Sequence, residues 1–387
     1  MTASSSPPLI MVCANQAWNL LNFRADLIAA LIAAGCRVIA VAPSDSEIQP
    51  LLAGLGAEFV PLPVDSKGLT PHRDLATYLA IRSLLRKHRP DAWLSWTIKP
   101  NIYGAMAAAG CGIPAFPNVS GLGTAFIRRN LLTKAVKLLY RWGFRRASVV
   151  FFQNGHDRDE FVNSGLIAPT KARILPGSGI DTRRFVPQPG GRPTRRRFLM
   201  LARVVADKGV REFVAAARQI RERWPDAQFI LMGAIGAPNR TAIAREEVDG
   251  WVAEGVIQHL DPVSDVRPQI ARADFVVLPS YREGLSRVLL EAGAMGRPAI
   301  TTAVPGCQDI ITEGINGFLC EPRDATSLVA ALEKAAQTQD RSWQAMSVAA
   351  CEKVAVEFSV DRVIAKYIDA LNEAGIRLHK VAIPQAS

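Results

Sequence analysis

Short apolar runs alternate with helix-length amphipathic stretches along nearly the whole chain, and the alternation breaks once, at Pro187-Gln-Pro-Gly-Gly-Arg-Pro-Thr194. A stretch so rich in proline and glycine sustains neither the helical nor the strand period, so it reads as a linker. Ahead of it, 9–14 reads as a strand, 20–34 as a helix and 37–42 as a second strand, a βαβ opening. The pattern continues through 59–62, 75–87, 92–96, 102–109 and 149–153, and a second series starts at Phe198 and includes 228–232, 256–260, 275–278 and 299–302. Such alternation predicts mostly parallel sheets covered by helices on both faces. The expectation is an α/β fold of two Rossmann-like domains facing a central cleft: residues 1–186, a linker at 187–197, and residues 198–358. Helices near 325–336 and 361–374 close the chain.

A chain of 387 residues buries a large core and divides most simply into two domains. Its 49% hydrophobic content and mean hydropathy of +0.11 exclude disorder. The start, Met1-Thr-Ala-Ser-Ser-Ser-Pro-Pro, lacks the basic residues of a signal peptide, and the apolar stretch 27–41 is interrupted by Gly35 and Arg37, too early to span a bilayer. Six scattered cysteines show no metal or redox spacing, which points to a reduced, cytoplasmic protein. Charge is uneven. Residues 1–185 hold 21 Lys and Arg against 11 Asp and Glu, whereas 186–387 hold 25 against 24. The densest basic part, 128–146, has seven cations, no acids, and interleaved Leu, Tyr, Trp and Phe. A basic amphipathic helix of this kind suits the anionic cytoplasmic face of the inner membrane, and equally a core helix with a solvated basic face. No recognised nucleic-acid module is present.

The most chemically specific segment is Tyr281-Arg-Glu-Gly-Leu-Ser-Arg-Val-Leu-Leu-Glu291, directly after the apolar run 274–279. Glu283-Gly284 reads as the turn before a helix starting near Ser286 or Arg287. The first amides of a helix lack intrahelical acceptors and carry the positive end of its dipole, so a diphosphate is a natural guest. Glu283 at the turn and Glu291 about two turns deeper bracket that position, one suited to sugar hydroxyls and the other to ribose. A second segment supplies cations. Arg203 and Lys208-Gly209 follow the strand beginning at Phe198, at the carboxyl end where open α/β sheets bind ligands. There they can neutralise charge growing on a departing diphosphate.

Arg203 followed by Lys208-Gly209, and then Glu283-Gly284 with Glu291, resemble the retaining family-4 glycosyltransferases of the GT-B fold. The likeness covers most of the chain. It includes Pro176-Gly-Ser-Gly-Ile-Asp-Thr-Arg-Arg-Phe185, Asp265-Val-Arg-Pro268 and Gly314-Ile-Asn-Gly-Phe-Leu319. Three more segments, Thr97-Ile-Lys-Pro-Asn-Ile-Tyr-Gly104, Asn118-Val-Ser-Gly-Leu-Gly-Thr-Ala-Phe126 and Val304-Pro-Gly-Cys-Gln-Asp309, resemble the subgroup that extends polyprenyl-diphosphate-linked glycans, N-acetylgalactosaminyltransferase type.

The resemblance implies an acceptor-binding first domain, a UDP-sugar-binding second domain, a last helix (359–387) crossing back to the first, and no metal requirement. Catalytic candidates are Arg203, Lys208 and Glu283. Donor candidates are Gly233, Gly284, Leu285, Ser286, Arg287 and Glu291, with Gly306 and Asp309 shaping a far wall. Acceptor candidates are Trp18, Asn19 and Arg24 after the first strand, Lys99 and Asn101 after 93–96, and Ser120, Gly121 and Gly123 in a glycine turn. Many relatives carry a Gly-Gly pair where this chain has Gln16-Ala17-Trp18-Asn19, so donor phosphate contacts from that loop are not implied. The Asp157-Arg-Asp159 tripeptide resembles a metal motif of a different transferase fold, but Asp157 falls at a helix start, where an acid needs no metal. A UDP-sugar epimerase, a transferase acting on a soluble acceptor, and a non-catalytic nucleotide-binding protein remain open as alternatives.

Overall fold

A computed structural model gives the fold and describes residues 6–64, 70–121, 131–187, 191–236 and 239–378. In chain order the first series is β1 (Leu9–Cys13), α1 (Ala17–Ala33), β2 (Arg37–Ala42), α2 (Ile48–Gly54), β3 (Glu58–Pro61), α3 (Pro71–His88), β4 (Ala92–Trp96), α4 (Ile98–Cys111), β5 (Ala115–Val119), α5 (Leu131–Phe144), β6 (Val150–Phe152), α6 (Gly155–Asn163) and β7 (Ala172–Ile174). The second is β8 (Arg197–Leu201), α7 (Val210–Arg223), β9 (Gln228–Met232), α8 (Arg245–Ala253), β10 (Gln258–Leu260), α9 (Arg267–Arg272), β11 (Phe275–Leu278), α10 (Arg287–Ala294), β12 (Ala299–Thr302), β13 (Gly317–Cys320), α11 (Ala325–Gln337) and α12 (Asp340–Glu357). A final helix, α13 (Val360–Glu373), follows.

Every strand pairing is parallel among the described residues, and both sheets are wound the same way. The first has the order β3-β2-β1-β4-β5-β6-β7 and the second β10-β9-β8-β11-β12-β13. Each therefore reverses direction once, between β1 and β4 and between β8 and β11, and such a switch point opens a crevice at the strand carboxyl ends. The sequence explains the burial on both faces. In β1, Ile10 and Val12 join a cluster with α1 and α13, while Met11 and Cys13 join one with α4 and α5. In β8, Phe198 and Met200 pack with α7 and α11, and Leu199 and Leu201 with α10. Continuous apolar strands of this kind are what a doubly covered parallel sheet needs.

Two units emerge, Met1–Ser178 with Val360–Ser387, and Gly179–Ser359. Helix α13 is part of the first because its apolar stripe of Val363, Ile364, Tyr367, Ile368 and Leu371 is buried in the first unit's core. Its polar groups tie it further: Lys366 Nζ donates to Ile174 O at 2.8 Å and Tyr367 Oη accepts from Asn118 Nδ2 at 3.0 Å. The described end of the proline-rich segment is fixed rather than free. Arg192 forms a two-pronged pair with Asp274, at 2.8 and 2.9 Å, and donates to Thr338 O at 2.7 Å. Among the described residues no helix is long and apolar enough to cross a membrane.

Candidate active site

At the switch point of the second unit, the loops after β8 and β11 are stitched together. After β8 the chain runs through exposed Arg203 into a single 3-10 turn, Ala206–Lys208, and Gly209 then opens α7. Gly209 has φ of 76°, and a Cβ there would lie 2.1 Å from Pro279 O, so only glycine lets this loop close on the end of β11. From the other side Tyr281 N donates to Asp207 O at 2.9 Å, and Tyr281 Oη donates to Glu212 Oε1 at 2.7 Å. Burial first, and then Glu212 beside it, raise the Tyr281 phenol above its ordinary value. The Arg323 guanidinium covers the Tyr281 ring at 4.8 Å.

This stitching places Lys208 Nζ in direct contact with Glu283 Oε1, both side chains largely shielded but still reachable from solvent. Arg203 is exposed and makes no ion pair with a described carboxylate, so its charge is available to a ligand. Beyond Glu283, Ser286 caps α10 by accepting from Leu289 N at 3.4 Å. Its own amide donates to Gly306 O at 3.1 Å. That amide is therefore engaged by the protein within the expected phosphate cradle of Gly284, Leu285, Ser286 and Arg287. Gly306, at φ of 79°, approaches so closely that a Cβ would sit 2.5 Å from Gly284 O. Its amide is held by Asp309 Oδ2 at 2.9 Å, which makes this pair the wall behind the Glu283-Gly284 turn.

One helical turn deeper, Arg287 Nε donates to Glu291 Oε1 at 2.9 Å. Burial raises the Glu291 carboxyl above its ordinary value, with Arg287 and then Arg184 pulling the other way. Gly233 lies at the end of β9, where a Cβ would fall 1.7 Å from Ala202 O. Its amide and carbonyl meet Leu260 O and His259 Nε2 at 3.1 and 3.0 Å. The glycine there is explained by the close approach of two strand ends, and both its polar groups already have protein partners.

The first unit treats its expected residues differently. Lys99 is buried in an ion pair with Asp74 at 2.8 Å, with 9% and 8% of the two side chains exposed. Tyr103 lies beside the same carboxylate, its phenol raised by burial and then by Asp74. Asn101 is buried, accepting from Ser95 Oγ at 2.9 Å and donating to Asn118 O at 2.7 Å. Arg24 is buried too, its guanidinium 4.7 Å from the Trp96 ring centroid. Lys99, Asn101 and Arg24 are thus all buried and engaged by protein partners. Trp18 is exposed on the first turn of α1, edge-on to Phe23 at 5.3 Å, and Asn19 is half-buried beside it. Thr97, between β4 and α4, holds φ of 71°, rare for a β-branched residue, and its Oγ1 accepts from Asn15 N at 3.2 Å. Ser120 is exposed and Gly121 has φ of 131°; Gly123 lies outside the described residues. His156 is exposed, and Asp157 is buried with its amide donating to the Asn154 cap at 2.8 Å.

Sequence reasoning passed over Tyr281 and Glu212, which hold the two loops in register. The available signal was an acid in the first turn of α7 and an aromatic residue two positions before Glu283.

Two doubly wound parallel sheets, with cations and a glutamate-flanked helix start at the second switch point, define a GT-B glycosyltransferase. The chain belongs to this family. A family model described as "Glycosyl transferase 4-like domain" matches residues 22–178, and one described as "Glycosyl transferases group 1" matches residues 195–338. Among curated proteins it is 27% identical to the N,N'-diacetylbacillosaminyl-diphospho-undecaprenol alpha-1,3-N-acetylgalactosaminyltransferase of Campylobacter jejuni, covering 80% of this chain and 84% of that protein. It is 24% identical to the UDP-Gal:alpha-D-GlcNAc-diphosphoundecaprenol alpha-1,3-galactosyltransferase of Escherichia coli, over 80% and 83%. Among solved structures, Anabaena HepE in complex with UDP superposes with a TM-score of 0.76 at 16% identity, over 95% of this chain and all of that one. At that identity the match speaks for the fold alone.

Proposed function

We propose that this glycosyltransferase is retaining and metal-independent, and moves a hexose or N-acetylhexosamine, with GalNAc or GlcNAc favoured, from a UDP-sugar to a hydroxyl of an undecaprenyl-diphosphate-linked saccharide. The observation that carries the reading is the meeting of Lys208 with Glu283 at a switch point, beside an exposed Arg203. Lys208 and Arg203 stabilise the diphosphate as the anomeric bond breaks and negative charge collects on its oxygens. Glu283 and the Gly284 to Arg287 backbone at the start of α10 orient sugar and phosphate, and Glu291 accepts from ribose hydroxyls. The leaving phosphate takes the acceptor proton on the face it departs from, which keeps the anomeric configuration. The work left to the protein is orientation and electrostatics.

The acceptor half of the reading is supported by the two curated relatives, whose names specify diphospho-undecaprenol-linked substrates, and by the basic excess of residues 1–185. Exposed Trp18 and Ser120 are the first unit's contribution to acceptor binding, and the enzyme works peripherally on the cytoplasmic face of the inner membrane. The test is incubation with a panel of UDP-sugars and a polyprenyl-diphosphate-linked saccharide, scored by UDP release and product mass. The expected product is the acceptor extended by one sugar. Transfer to soluble acceptors alone would remove the lipid acceptor, and a new sugar nucleotide formed from UDP-N-acetylglucosamine without acceptor would replace the transferase by an epimerase.

A further inference from the structure

Helices α3 and α5 present a surface that no step above uses. The inner face of α5 is fixed: Val136, Tyr140 and Phe144 are buried, and Gly143 lies so near α4 that a Cβ would meet Ile102 O at 2.9 Å. Its outer face carries Leu138 and Trp142, one turn apart and 55% and 65% exposed. Helix α3 buries Asp74, Thr77, Ile81 and Leu85. At 100° per residue, Tyr78, Arg82, Leu75, Arg86 and Leu79 then follow one another round a single flank. Leu75 and Leu79 on that flank are also exposed. Tyr78 shares an open groove of about 320 Å³ with Trp142, Met106 and Arg145, and a second hollow of about 460 Å³ runs along Leu138, Trp142 and Arg141. The two helices thus border one surface centred on Trp142.

Its electrostatics are one-sided. Between Asp91 and Asp157 the chain contains no acid, and Asp74 is consumed by Lys99. Lys134, Arg141, Arg145 and Arg146 form no ion pair with a described carboxylate. Helix α7 shows how this chain builds an ordinary solvated basic helix. There Arg211 pairs with Glu247 at 2.7 Å, Arg218 with Glu254 at 2.6 Å and Arg223 with Glu333 at 3.1 Å. On α5 Lys137 pairs with Glu160 at 2.8 Å, but Lys134 and Arg141, with Arg145 and Arg146 just past the helix end, flank an uncovered leucine and indole instead. Unpaired cations beside exposed aliphatic and indole side chains match a surface that is anionic at its plane and apolar just beneath it.

We propose that the face formed by α3 and α5 docks on an anionic phospholipid bilayer, with Leu75, Leu79, Leu138 and Trp142 entering the headgroup boundary and Arg141, Arg145 and Arg146 contacting lipid phosphates. This gives residues to the peripheral location proposed above, yet stands independently of the donor and acceptor chemistry. Nucleic acid shares the phosphate chemistry but gives the leucines nothing to enter.

The full chain is sedimented with vesicles of phosphatidylglycerol and phosphatidylethanolamine, and with vesicles of phosphatidylcholine alone. Binding to the anionic vesicles only, weakened by salt and accompanied by a blue shift of tryptophan emission that Trp142→Phe diminishes, is the expected result. Leu138→Ser/Trp142→Ser and, separately, Arg141→Glu/Arg145→Glu each reduce partitioning about tenfold or more, while unfolding temperature and UDP release with a short-chain acceptor stay at wild-type values. These residues are exposed, so folding is preserved. Equal binding to both vesicle types, binding unchanged by both double variants, or salt-sensitive capture of single-stranded DNA that ignores the leucine and indole changes would each overturn the proposal. Lost UDP release with intact vesicle binding would count against the catalytic reading alone.

Discussion

The two switch points are built alike but place their charged side chains differently. The loops after β1 and β4 in the first unit correspond to those after β8 and β11 in the second, and both places carry cations and a nearby carboxylate. In the second unit Lys208 and Glu283 meet at the rim, within reach of solvent, and Arg203 stays exposed. In the first, Lys99 and Asp74 meet beneath the rim with almost no exposure, and Arg24 and Asn101 are buried with them. A cation at a strand end is thus only half of a site. What decides its role is whether the partner carboxylate comes from the opposing loop, as Glu283 does, or from a helix packed on the sheet face, as Asp74 on α3 does.

The sharpest break in this contrast comes from Lys99→Met. Removing one partner of a buried pair strands the other charge, so the variant should lose about 3–5 kcal/mol in denaturant unfolding, with donor KM unchanged in the folded protein. An unaltered unfolding midpoint with a raised acceptor KM would place Lys99 on the substrate and erase the difference between the units. Lys208→Ala should do the reverse. Turnover falls about 10²–10³-fold, as for loss of a single transition-state donor, with little change in unfolding temperature. A large drop in stability with near-normal turnover would make that pair structural as well.

Gly209→Ala tests how tightly the second rim is drawn. The new methyl meets Pro279 O in a backbone conformation that L side chains avoid, so a loss of about 2–3 kcal/mol is expected. Gly112→Ala, at φ of 72° with open space around it, should cost only about 1 kcal/mol. Equal losses would show that the close approach is slack. The last effect concerns pH. Burial raises the Glu291 carboxyl, and in the proposed ribose contact only its ionised form would accept two hydroxyls. UDP affinity should therefore fall as pH drops through that raised value, by about 1.5 kcal/mol in titration calorimetry, and Glu291→Gln should flatten the profile. A wild-type profile as flat as the variant's would remove Glu291 from ribose binding.

Much of the fold was legible because apolar runs such as Leu9-Ile-Met-Val-Cys13 and Phe275-Val-Val-Leu278 have no other way to be buried. Strand β5 was not legible. It carries Pro117 and Asn118 in mid-strand, and the buried Asn118 finds an acceptor for its side-chain donor only in Tyr367, far along the chain. Helix α12 escaped because its apolar residues follow no clear stripe, and β13 because Gly317 opens a run of four residues. In the site, the motif residues Glu283, Ser286 and Glu291 lie where spacing placed them, since cap and turn chemistry are local. Burial of Lys99, Arg24 and Asn101 depends on α3, β4, β5 and the packing around them, none of which local spacing records.

Because α13 completes the first unit's core, the order of synthesis and the order of folding diverge. A ribosome delivers β1 to β7 long before Tyr367 and its neighbours, so the earlier unit waits, its α1 face unsealed, while Gly179–Ser359 emerges whole and can settle first. A released chain truncated just short of Val360 should accordingly yield a protease-resistant second unit attached to a protease-sensitive first one.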